Sequence, residues 1–140
     1  MESSSWRDNL EMVIRSDDGE RIGYLRPESD DRHSPLNLLG IPVGAPAHRE
    51  EATDAVKTHA MASLINPWWC RATRPLTEPI VDARTVGEDG QWDRMVVAEL
   101  TPDRALMRPM YAWPEESGCY LAVDLPAVDI LFTNEPVDAI

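Results

Sequence analysis

Lysine, cysteine, phenylalanine and long apolar runs are all scarce in this 140-residue chain. No stretch approaches the ~18 consecutive apolar residues of a membrane-spanning helix, so no transmembrane segment is expected. The opening residues, Met1 to Trp6, contain neither a cationic region nor an apolar run, which argues against a signal peptide. Cys70 and Cys119 are the only cysteines. Two are too few for a disulfide scaffold, and two reduced thiols in a cytoplasmic protein are the expected state, with a Cys70–Cys119 bridge as the less favoured alternative.

Catalytic signatures are missing as well. The sequence has no HExxH, CxxC, GxSxG, GxGxxG or P-loop pattern. His33, His48 and His59 are the only histidines. On one helix His48 and His59 would stand about 16 Å apart, too far to share an ion. Neither a metal nor a cofactor is expected.

Positive charge is short. Lys57 is the single lysine, and 13 basic residues face 25 acids, for a net charge of -12. Phosphate neutralisation needs clustered cations, so direct nucleic-acid binding is not expected, nor is binding to an anionic membrane. The acids are unevenly spread: residues 113–140 carry six acids and no base.

What is present suffices for a core. Leu, Ile, Val and Phe make up 30 of the residues, joined by six Met, five Trp and three Tyr. The pattern predicts an α+β protein read as one domain over 1–140: a β-hairpin and long loop (1–45), a central helix (46–66), an antiparallel β unit (67–134) and a frayed tail (135–140). In the hairpin, Leu10, Met12 and Ile14 alternate to one face, Ser16-Asp17-Asp18-Gly19 is the turn, and Ile22 and Tyr24 point inward before Pro27 ends the return strand. Residues 28–45 mix apolar side chains with Pro and Gly without a period and read as an irregular loop.

The helix begins at Pro46 and stops at Asn66-Pro67. Its stripe, Ala52, Ala55, Val56, His59, Ala60, Ser63 and Leu64, is made of small residues, so it should sit close against a sheet. From Trp68 onward the pattern is β. Strands are expected over Trp68–Thr73, Ile80–Val86, Gln91–Leu100, Arg104–Trp113, Cys119–Val123 and Ile130–Thr133, with a single helical turn at Pro126–Asp129. On the third of these, Trp92, Val96, Ala98 and Leu100 lie on one face. Short strands joined by tight turns suggest a small five-stranded antiparallel sheet or SH3-like barrel.

The aromatic residues of the β region are the most informative candidates. Trp68, Trp69, Trp92, Tyr111 and Trp113 lie there with Glu115 and Glu116 close behind. Adjacent Trp68 and Trp69 cannot both point inward from a regular strand. An aromatic patch rimmed by carboxylates suits cationic groups through cation–π contact. The leading expectation is therefore a non-catalytic acidic module that binds a basic protein or peptide through an aromatic groove. One alternative is an inhibitor, immunity protein or chaperone that masks a basic surface. Another is a small cysteine-dependent enzyme using Cys70, whose neighbours Trp69 and Arg71 would make an electropositive setting. A homodimer through a sheet edge or an exposed Trp is compatible with each.

Overall fold

The computed structural model describes residues 6–136, and the fold is α+β with a single central helix. Two compact units divide at Leu64/Ile65.

In the first unit, β1 (Glu11–Ile14), β2 (Arg21–Ser29) and β3 (Arg32–Leu36) form an antiparallel sheet in that order. The β1–β2 hairpin turns at Gly19, whose φ of 73° is the left-handed conformation that glycine adopts without penalty. Two expectations are corrected here. Residues 28–45 are not all loop, because the chain turns at Asp30-Asp31 and returns as β3. Pro27 does not end β2. It lies past the reach of β1, which pairs only as far as Leu25, so no neighbour on that side needs its missing N–H. On β1 the buried residue is Val13, and Met12 and Ile14 of the alternating set are exposed. Val13 pairs with Gly23, and this is the side on which the helix packs.

That helix comprises α1 (Arg49–Ala55), a π-helical turn (Val56–Ala60) and α2 (Met61–Ile65). It starts three residues after Pro46, with His48 as N-cap. The buried stripe is Ala52, Val56, Ala60 and Leu64, while His59 is exposed. These residues recur every four positions. A regular α-helix would rotate such a stripe by about 40° per step. The wider π turn counters that rotation and keeps the stripe on the sheet. The small-residue stripe does bring the helix close: a Cβ on Gly23 would lie 2.7 Å from Val56 Cγ1, and on the strand side 2.3 Å from the Leu36 carbonyl oxygen of β3. On the other face of β2, Tyr24 is covered by Trp6, ring to ring at 5.4 Å and nearly perpendicular. The β3-to-helix segment is organised by Asn37, fully buried. Its side-chain oxygen accepts from the Leu39 and Ile41 N–H groups, and its amide donates to Ser63 Oγ.

The second unit contains β4 (Trp68–Ala72), β5 (Ile80–Asp82), β6 (Gln91–Leu100), β7 (Arg104–Pro109) and β8 (Tyr120–Asp124). They form a curled half-barrel of SH3-like type in the order β4-β6-β7-β8-β5. Four strands run antiparallel as expected, but β5 joins β8 in parallel, so the sheet is mixed. The Gly87–Gly90 turn therefore leads from a 3₁₀ turn (Ala83–Thr85) into β6 and does not close a hairpin. The strand expected at Ile130–Thr133 is reduced to a bridge between Trp69 and Phe132, preceded by the expected turn at Ala127–Ile130.

Which face of β6 turns inward is decided by its neighbours. Met95, opposite Trp68 and Pro109, is buried, whereas Ala98 is exposed. Register sets this. The buried face of β4 is Trp68, Cys70 and Ala72, and the residues opposite them are Met95, Asp93 and Gln91. Trp92 consequently falls on the other face. Among the described residues no helix is long and apolar enough to cross a membrane.

Candidate functional site

The sequence-predicted aromatic residues do not form one groove. Alternation along β4 sends Trp68 into the core and Trp69 to the opposite face. Trp68 is therefore a core residue, not part of a binding surface.

Trp69 and Trp92 lie together on that opposite face, where their cationic partners come from the chain itself. The register places Trp69 across from Arg94 and Trp92 across from Arg71. Arg94 sits 5.6 Å from the Trp69 ring centre, and Arg71 sits 4.6 Å from that of Trp92. Arg71 also donates to the carbonyls of Glu88 and Gly90, both at 2.9 Å, which ties the 87–90 turn to β4. Phe132 meets Trp92 edge to face at 5.7 Å. Internal guanidinium groups thus supply the cation–π contacts that the sequence assigned to a foreign cation.

Tyr111 and Trp113 are displayed differently. They follow β7 on a short segment that ends in a 3₁₀ turn, Pro114–Glu116. Tyr111 is 68% exposed and Trp113 46%. The backbone beneath them is pinned by a buried ion cluster that joins residues 42 apart in sequence. Glu116, expected on an exposed rim, has a fully buried side chain. One of its oxygens accepts from Arg74 Nε and the Leu76 N–H, each at 2.9 Å. The other accepts from a second Arg74 nitrogen and from the Trp113 N–H. Arg74 reaches Asp93 on β6 at 2.6 Å and the Tyr111 carbonyl at 2.9 Å, and its guanidinium lies 4.5 Å from the Trp113 ring centre.

The electrostatics follow from these contacts. Hydrogen bonds from Arg74, reinforced by the Trp113 and Leu76 N–H groups, outweigh burial and hold the Glu116 carboxyl down to about 2. Arg74 is raised by the same partner. Buried carboxylates persist when every lone pair has a donor, as here. Sequence reasoning missed Arg74 and Asp93. The usable signal was local: Trp113-Pro114-Glu115-Glu116 places Pro at the first position of a turn and a carboxylate at the third, the arrangement that lets a side chain reach back to the cap N–H. Glu115, on the same turn, is exposed.

Cys70 does not have the setting of a nucleophile. Its thiol is buried and donates to the Arg71 carbonyl, and burial pushes it up to about 12. Cys119 is also a buried free thiol. A cleft of about 180 Å³ is lined by Cys70, Arg71, Trp92 and Asp129 among others. It is smaller than the roughly 300–1,000 Å³ of ordinary ligand pockets. Among the described residues, no three His, Cys, Asp or Glu side chains converge to hold a metal ion.

No protein-family profile matches this chain, and the searches of curated proteins and of solved structures give no match.

Proposed function

We propose that this chain is a non-catalytic interaction module that presents the Tyr111–Glu116 segment to a basic segment of another protein. One observation carries the reading: two large aromatic side chains stand in solvent while the backbone under them is fastened by Arg74 and Glu116. Exposed aromatic surface is costly in water and common at the centres of protein interfaces. A backbone already held in its bound shape has little ordering entropy left to lose on binding. The sign of the partner follows from local charge. The cluster holds one guanidinium against the carboxylates of Asp93 and Glu116, and exposed Glu115 adds a third. The net charge of -12 would steer a cationic partner toward the molecule. Two free thiols support a reducing compartment, and we place the protein in the cytoplasm on that basis.

The test is fluorescence anisotropy with a labelled oligoarginine peptide. Binding should weaken about tenfold in Trp113→Ala, and more in Tyr111→Ala/Trp113→Ala, with circular dichroism unchanged. Affinity should fall as salt rises toward ~0.5 M. Equal affinity of the wild type and the double variant would refute the assignment of the site. Salt-independent binding would refute the electrostatic part.

A further inference from the structure

The half-barrel sorts its charges by face. Because Trp69 is opposite Arg94 and Val96 is opposite Arg108, all four share the face turned away from Trp68, Cys70 and Met95. Arg94 and Arg108 are exposed, and Trp69 and Val96 are half-buried. Acids outnumber bases by 25 to 13, yet neither Arg94 nor Arg108 makes an ion pair among the described residues. The nearest acid on this face by register is Glu99, across from Leu106 and beyond the irregularity at Val97/Glu99.

Arg94 and Arg108 are also diagonal neighbours. The Met110 N–H donates to the Arg94 carbonyl, which puts Arg108 two residues from the position opposite Arg94. Diagonal positions lie about 7–8 Å apart.

We propose that this face docks an extended acidic segment of another protein, with carboxylates at alternate residues. In an extended chain, residues two apart are spaced by about 6.8 Å, which matches the Arg94–Arg108 diagonal. Each guanidinium takes one carboxylate, and half-buried Val96, opposite Arg108, receives the apolar part of the segment. A single-stranded nucleic acid fits less well. Arg94 and Arg71 already stack on Trp69 and Trp92, where bases would need to stack, and the net charge repels a dense polyanion. This surface is opposite in sign to the Tyr111–Glu116 segment and does not rest on it.

The experiment uses the full chain and a labelled alternating Glu-Thr peptide in anisotropy titrations at ~0.1 M salt, where charges beyond about 10 Å are screened. A peptide of the same composition with its glutamates in one block, and an oligothymidylate, serve as competitors. The wild type should prefer the alternating peptide. Arg94→Glu and Arg108→Glu should each weaken it about tenfold. Arg32→Glu, the same charge change at an exposed position of β3, should leave it unchanged. Absence of binding, or equal binding by Arg94→Glu, overturns the site. Equal affinity for the block peptide overturns the spacing, and tighter binding of oligothymidylate that Arg94→Glu abolishes overturns the choice of partner.

Discussion

Replacing Glu116 with Gln removes one charge and changes the shape of the side chain very little, so it isolates what the buried carboxylate does. Both carboxylate oxygens accept two donors each. A glutamine has one oxygen and one NH₂ group. Whichever way the amide is turned, one backbone N–H and one Arg74 N–H face another donor. Leaving a buried donor unsatisfied costs about 1–3 kcal/mol, so two cost about 2–6 kcal/mol. Removing one partner of a buried ion pair, treated as a whole, costs about 3–5 kcal/mol. The two routes agree, and the loss is a large share of the ~5–15 kcal/mol that holds a domain folded.

Urea unfolding at pH 7 should therefore show a destabilisation of about 3–5 kcal/mol. The pH dependence sharpens the test. The Glu116 carboxyl is held lower in the folded chain than in the unfolded one, where it keeps its ordinary value of 4.5. The stability it adds is thus complete above about 4.5 and is lost as the pH falls toward about 2. The Gln variant should lose that part of the acid dependence, so its deficit against the wild type should shrink as the pH falls toward about 2. A loss below about 1 kcal/mol at pH 7, or an acid-unfolding profile parallel to the wild type, would refute the argument that this carboxylate fastens the aromatic segment.

Two further outcomes follow from the packing. Gly23→Ala places a methyl group against a backbone carbonyl at 2.3 Å, which no rotamer change can relieve, so thermal unfolding should show at least the ~1–3 kcal/mol typical of overpacking. An unchanged melting temperature would mean that neither the Leu36 carbonyl of β3 nor Val56 of the helix crowds this position. Cys70, buried and pushed up to about 12, should react with a thiol reagent at pH 8 only after unfolding, whereas rapid labelling of the native chain at this residue would contradict the burial.

The local elements were legible because they obey local rules. The Gly19 turn, the ten-residue strand Gln91–Leu100, the turn at Ala127–Ile130 and the small-residue helix stripe follow from φ preferences and side-chain periodicity. The opposed directions of Trp68 and Trp69 follow from strand alternation alone. Which faces of β1 and β6 are covered was not legible, for a different reason. A period of two says that residues alternate but not which set is covered, and both Met12-Ile14 and Trp92-Val96 look as apolar as the sets that are buried.

For the candidate site, composition and alternation located the exposed aromatic residues Tyr111 and Trp113 but not what holds them. The sequence by itself determined an acidic α+β chain, its strand and helix segments, and the impossibility of hiding both rings of a Trp-Trp pair in one core. Only the tertiary structure decided that Glu116 is an internal anchor rather than a rim charge, and that Arg71 and Arg94 cover the rings meant for a foreign cation. Those outcomes depend on register and on contacts across 42 residues, and the energy of an ion pair is set by the neighbours that desolvate and satisfy it, which are distant in the chain.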